Sequence, residues 1–284
     1  MSATAPQQPL VAVTGISKSY SEVAALSPLS FSVLPGERVA LAGPSGSGKT
    51  TLLYLLAGIM QPDTGSLAIG GKDLARVKPG RELSTLVGII HQGYDLVPHL
   101  PVLHNVLAGR LGQWGLLRSA ASLVWPQERR LAEGALERMG IGNKAWERTS
   151  HLSGGEQQRA AIARLMVQSP RVVLADEPVA SLDPAMAEEM LRLLTGLADD
   201  GARALVVSLH SPELIRRFCT RVIGLRAGHL AFDLPAESVT GTTLDELYHL
   251  EAPFERTPER DATLIPVPSG PPLRGRIPPP WAFR

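Results

Sequence analysis

The stretch Arg38-Val39-Ala40-Leu41-Ala42-Gly43-Pro44-Ser45-Gly46-Ser47-Gly48-Lys49-Thr50-Thr51-Leu52-Leu53 decides the fold. It opens with a short apolar run, as in strands buried on both faces, and it closes on the start of a helical run. Between the two lies the spacing G-x-x-x-x-G-K-[ST]. Glycines let such a loop wrap with its N–H groups turned inward, and the following helix N-terminus adds a partial positive charge. Lys49 then reaches the β- and γ-phosphates of a nucleoside triphosphate, and the Thr50 hydroxyl is suited to ligate Mg²⁺. The bland alternative is a glycine-rich turn before a helix. The strand in front and the helix behind favour the phosphate cradle.

A second segment fits the first. Arg171-Val172-Val173-Leu174-Ala175-Asp176-Glu177-Pro178 is an apolar strand ending in two carboxylates, and open α/β sheets place their ligands at the carboxyl ends of strands. Asp176 is suited to hold Mg²⁺ through water, and Glu177 to polarise an attacking water as general base. Adjacent acids also mark solvated strand ends; beside a phosphate cradle the chemical role is favoured. A third segment, Leu152-Ser153-Gly154-Gly155-Glu156-Gln157-Gln158-Arg159, enters an amphipathic helix and forms another anion-binding nest. A serine N-cap accounts for Ser153 but leaves the glycine pair unexplained.

Around these segments, strands are expected at Leu10–Val13, Leu29–Val33, Arg38–Ala42, Val87–Ile90, Val172–Ala175, Leu205–Leu209 and Val222–Leu225. Helices are expected from Gly48, Ser153 and about Pro184. The pattern is α/β with an antiparallel N-terminal portion. From Val102 to Gly140, Leu, Ala, Arg and Glu dominate and β-branched residues are few, which predicts a helical insertion. Its Leu103, Leu107, Leu116, Leu117 and Leu123 are expected to form its core for the most part. There is no internal repeat, so a second copy of the machinery must come from another chain.

Composition narrows the classes. The 284 residues carry 28 basic and 27 acidic side chains, a net charge of +1, which leaves no bulk basic footprint for nucleic acid. The single Cys219 excludes an internal disulfide framework and fits a reducing compartment as a small core hydrophobe. The N-terminus lacks the pattern of a signal peptide, and apolar runs such as Leu52–Met60 are about half the ~20 residues a membrane span needs. Nine of the 24 prolines fall between His249 and Arg284, so residues 251–284 read as a flexible, Pro-rich tail, with residues 1–9 similarly unstructured.

With these residues in place, the chain closely resembles the ATP-binding subunits of ABC transporters, from Leu10 to about Leu250. The Walker A loop is Gly43–Thr50, the LSGGE signature Leu152–Glu156, and the Walker B strand with its glutamate Val172–Glu177. Ser181-Leu182-Asp183 matches the D-loop, His210 the switch histidine and Gln92 the Q-loop, while Tyr20 stands where the family stacks a ring on adenine. The resemblance implies a P-loop NTPase (RecA-like) α/β core with an antiparallel β subdomain and a helical subdomain inserted at about 96–152. It implies ATP and Mg²⁺ as cofactors. Nucleotide contacts would come from Tyr20, Gly43, Pro44, Ser45, Gly46, Ser47, Gly48, Lys49, Thr50, Thr51, Ser153, Gly154, Gly155 and Asp183. Metal contacts would come from Thr50, Gln92 and Asp176, and the catalytic groups would be Glu177, His210 and Gln92. It implies a head-to-tail homodimer sandwiching two ATP molecules, docked on membrane permease subunits at the cytoplasmic face and served indirectly by a solute-binding protein, with no nucleic-acid partner.

For the cargo, Val106-Leu107-Ala108-Gly109, Leu116-Leu117-Arg118-Ser119 and Leu136-Glu137-Arg138-Met139-Gly140-Ile141 are similar to segments of the phosphonate-import branch. The chain departs from the family pattern at His91-Gln92-Gly93 and in its Pro-rich tail. Residues 93–101, with Trp114 and Arg118, are expected to receive a permease helix. The expected cargo is a phosphonate or a related phosphite or phosphate ester; the alternatives are a soluble ABC ATPase of a phosphonate-degrading complex and an importer ATPase for another small solute. A P-loop kinase would leave Leu152–Glu156 and His210 without a role.

Overall fold

The computed structural model describes residues 8–249 apart from Glu22, Gln92, Ser181 and Asp200, with the backbone alone at Leu116, Leu123, Val124 and His249. In chain order the elements are β1 (Val11–Tyr20), β2 (Val23–Val33), β3 (Arg38–Ala42), α1 (Lys49–Leu56), β4 (Thr64–Ile69), β5 (Lys72–Asp73), α2 (Arg81–Leu86), β6 (Val87–Ile90), α3 (Val102–Leu107), α4 (Leu116–Val124), α5 (Arg129–Arg138), α6 (Gly154–Gln168), β7 (Val172–Ala175), α7 (Pro184–Gly196), β8 (Ala204–Ser208), α8 (Pro212–Phe218), β9 (Arg221–Arg226), β10 (His229–Pro235) and α9 (Gly241–His249).

The central sheet runs β10-β9-β3-β8-β7-β6 and is parallel except for the β9–β10 hairpin. Its strands lack polar alternation because both faces are covered. Ala40, Val173 and Leu205 face one apolar core with α6 and α7, while Val39, Val172 and Ala204 face a second core with α1. Parallel register puts the carboxyl ends of β3, β8 and β7 side by side: Ala40 pairs with Val207, and Val207 with Ala175.

A second, antiparallel sheet, β2-β1-β4-β5, lays Val11, Val13 and Phe31 into the α1 core. The insertion is helical, with α3 and α5 packed on α6. Ala160, Ala161 and Ala163 are fully buried on α6, and small side chains there allow close helix approach. Leu103 and Leu107 are core residues as expected, but Leu117 is 90% exposed. It lies on the solvent side of α4. Among the described residues no helix is long and apolar enough to cross a membrane.

Candidate nucleotide site

Because β8 lies between β3 and β7, the loop after β3, His210 after β8 and the Asp176-Glu177 pair after β7 emerge together. The loop is held by backbone geometry. Gly43 has φ 150°, and a Cβ there would fall 2.1 Å from the Leu225 carbonyl oxygen. Gly48, at φ 102°, caps α1 without a side-chain hydrogen bond, so the first N–H groups of that helix stay open to an external acceptor. The carbonyl of Ser47 accepts from Gly228 N–H at 3.2 Å, tying the loop to the β9–β10 turn.

Lys49 is 5% exposed, and its Nζ donates to the carbonyls of Gly43 (2.7 Å) and Pro44 (3.0 Å) within the loop. Burial holds its ammonium below the ordinary lysine range, while the carboxylates of Glu177 and Asp176 pull it back up. A cation desolvated this way is primed for an anion that completes its neutralisation. Ser47 Oγ is buried with no partner among the described residues. An orphaned hydroxyl inside a loop of inward N–H groups fits a phosphate-bearing ligand.

On the facing strands, Ser208 is buried, and its Oγ donates to Asp176 Oδ1 at 3.0 Å and accepts from Glu177 N–H at 2.6 Å. Glu177 has φ 47°, a conformation that costs a non-glycine residue about 1–3 kcal/mol and clusters at functional sites. Its Oε1 accepts from His210 Nε2 at 3.1 Å. On the other side of that ring, Nδ1 meets the Tyr248 hydroxyl at 3.1 Å, and the same hydroxyl accepts from Gly43 N–H at 3.3 Å. Burial pushes the Tyr248 phenol above its ordinary range, so it keeps its proton. Thr50 is exposed in the first turn of α1. Thr50 and Asp176 offer hard oxygen donors of the type Mg²⁺ takes. Among the described residues no group of three or more His, Cys, Asp or Glu forms a metal cage, so an ion here would lean on nucleotide phosphates.

Ser153 and Gly155 lie elsewhere, on a cleft of about 390 Å³ also lined by Arg159 and Met186. Ser153 caps α6 in a full capping box: its N–H and hydroxyl donate to Glu156 Oε2 at 2.8 and 2.9 Å, and its Oγ accepts from Glu156 N–H. Asp183 caps α7, accepting from Met186 N–H at 3.0 Å ahead of Pro184. Tyr20 ends β1 half-exposed, with its hydroxyl on Met60 Sδ at 3.3 Å. Gln92 and Ser181 lie outside the described residues, as does the tail at 251–284. Two residues after Gln92, Tyr94 lies in a turn gripped by Arg164 of α6, which donates to the carbonyls of Tyr94 and Asp95 at 2.8 Å each.

Ser208, Arg164 and Tyr248 were not marked by the sequence motifs. Ser208 could have been found from its place two residues before His210 on a buried strand, where a hydroxyl needs a partner. Tyr248 carried no local signal, since its contact with Gly43 spans 205 positions.

The fold and this cluster define a P-loop ATPase of the cassette type. Residues 26–180 match the ABC transporter family, and the chain belongs to that family as an ATP-binding, ATP-hydrolysing component. It is 42% identical over 82% of its length to the "Phosphonates import ATP-binding protein PhnC" of Pseudomonas putida, covering 88% of that relative. Identity is 44% over 79% of the chain, and 85% of the relative, with "PhnC 2" of Pseudomonas aeruginosa strain UCBPP-PA14. With PhnC of Anaeromyxobacter dehalogenans it is 44% identical, but the chain spans about half (48%) of that relative's length. Among solved structures, a dimeric post-hydrolysis state of the cassette MJ0796 bound to ADP and Pi superposes with TM-score 0.68 at 28% identity, covering 80% of this chain and 98% of that one.

Proposed function

We propose that this chain is the ATP-binding subunit of a phosphonate importer, hydrolysing ATP with Mg²⁺ to drive uptake through a membrane permease. The observation that carries the ATPase part is the convergence of Lys49, Asp176, Glu177 and His210 at adjacent strand ends of one sheet. The cargo is supported by the PhnC relatives that the chain matches over about four fifths of its length.

The residues divide the chemistry. Gly43 to Thr51 would bind the phosphates through N–H groups and Lys49, with Tyr20 against the adenine. Thr50, Asp176 and Gln92 would hold Mg²⁺, which when bound neutralises charge on the transferred phosphoryl group. Glu177 would orient and deprotonate the attacking water, and His210 would contact the γ-phosphate. Ser153, Gly154, Gly155 and Asp183 would serve the nucleotide held by a second copy, making a homodimer with two shared sites. Closure on ATP and reopening after hydrolysis would then drive the permease at the cytoplasmic face. The segment at 93–101 supports a permease contact. Asn105 clamps it through Val97, donating to the Val97 carbonyl at 3.0 Å and accepting its N–H at 2.7 Å, while the Val97 side chain stays half exposed. Residues 10–250 would form the cassette, with the helical subdomain at about 96–152 and 251–284 as an appendage.

Co-reconstitution with the cognate permease in vesicles tests the assignment. A phosphonate-loaded binding protein should stimulate ATP hydrolysis; stimulation by another cargo alone would replace the substrate, and no stimulation by any loaded binding protein would remove the importer assignment.

A further inference from the structure

Tyr248 is the point where the C-terminal helix meets the nucleotide site. Leu244 and Leu247 bury α9 in the same core as Ala175 and Val207, so apolar packing fixes where the Tyr248 ring stands. Its oxygen lies 3.3 Å from Gly43 N and 3.1 Å from His210 Nδ1. The proton inventory of this chain of contacts has one neutral solution. Gly43 N–H can only donate, so the phenol oxygen accepts there. The Glu177 carboxylate, 3.1 Å from His210 Nε2, can only accept. Nε2 must therefore carry a proton. In a neutral imidazole Nδ1 is then the acceptor, and it takes the one proton the phenol has to give. The opposite tautomer would face a lone pair to the carboxylate and leave the Tyr248 proton without an acceptor in this group.

We propose that Tyr248 is a positioning residue for His210: its O–H···Nδ1 bond holds the ring as the Nε2–H tautomer aimed at Glu177, and its bond to Gly43 links α9 to the phosphate loop. This rests on Glu177 and His210 belonging to the ATPase site. No substrate contact by Tyr248 is required, since it acts by fixing which nitrogen of the histidine presents a proton.

Tyr248→Phe in the full chain keeps the ring and removes only the hydroxyl. The expected result is a roughly three- to tenfold fall in kcat for Mg-ATP hydrolysis, the effect of losing the bond that orients His210, with KM for ATP within about twofold. In parallel, ¹⁵N-histidine spectra of the same chain should show unprotonated Nδ1 for His210 in the wild type and a tautomer mixture in the variant. Either readout staying at its wild-type value overturns the proposal. Thermal unfolding of the variant checks that the ring still packs. His210→Ala separates the failures: wild-type hydrolysis in that variant would remove His210 from the ATPase site, whereas the tautomer comparison concerns Tyr248 alone.

Discussion

The chain has two glycine-rich loops at helix N-termini, and they are built differently. In Gly43–Thr50 two of the three glycines answer to the chain itself: a Cβ on Gly43 would collide with the Leu225 carbonyl, and one on Gly48 with that of Ala25 at 2.7 Å, while Gly46 has open space around it but holds a φ of 77°. In Leu152–Glu156 they do not. A Cβ on Gly154 meets nothing within 4 Å, and one on Gly155 meets only the flexible end of Met186. The start of α6 is already secured by the Ser153–Glu156 capping box. Folding α6 therefore asks for a serine and a glutamate, but for no glycine. The spare glycines leave room for something that approaches from outside the chain, which supports a site completed by a second copy.

The sharpest test of that difference is Glu177→Gln. Hydrolysis should fall about 10²- to 10⁴-fold, the range of a general base, while ATP binding persists and two copies remain together in size-exclusion chromatography with ATP. A variant that stays monomeric with ATP would break the two-copy site.

Next in size, Gly43→Ala and Gly155→Ala should part company. Gly43→Ala should lose about 3 kcal/mol or more in denaturant unfolding, since both φ and the carbonyl forbid the methyl. Gly155→Ala should unfold within about 1 kcal/mol of wild type, on the stabilising side if anything because alanine favours a helix, yet lose at least about tenfold in ATP hydrolysis. Equal stability losses would erase the distinction between the loops.

The same distinction explains what was legible in the sequence. β3, β6 and β7 fall on the predicted residues because strands covered on both faces are written as unbroken apolar runs. β4 and β10 were not foreseen. β4 begins exposed at Thr64-Gly65-Ser66 and buries only Leu67 and Ile69, and β10 is a mostly exposed edge strand, so neither is written as a continuous apolar run. Local motifs marked the phosphate loop, the carboxylate pair and His210. Ser208 and Tyr248, which orient the carboxylate pair, His210 and the phosphate loop, and Arg164, which holds the turn at Tyr94, are set by tertiary contacts 31 to 205 positions apart. Arg164 and Tyr248 leave no local trace, and only the place of Ser208 on a buried strand two residues before His210 hints at its role.

The smallest expected effect is also the one that divides the two duties of Ser153. As a cap, its loss in Ser153→Ala should cost about 1 kcal/mol. As a phosphate contact, its loss should weaken hydrolysis beyond what that small destabilisation explains. The cap has its own pH signature. The Ser153 N–H and hydroxyl hold the Glu156 carboxyl below its ordinary 4.5. A depressed carboxylate contributes stability above its unfolded value and loses it as pH falls through the folded one. The stability gap between wild type and Ser153→Ala should thus be full near neutral pH and shrink below 4.5. Thermal melts across that range check the cap, and ATPase assays at neutral pH check the contact. If hydrolysis by the variant is normal while the pH-dependent gap is present, Ser153 serves only its own helix, and the external approach rests on Gly154 and Gly155.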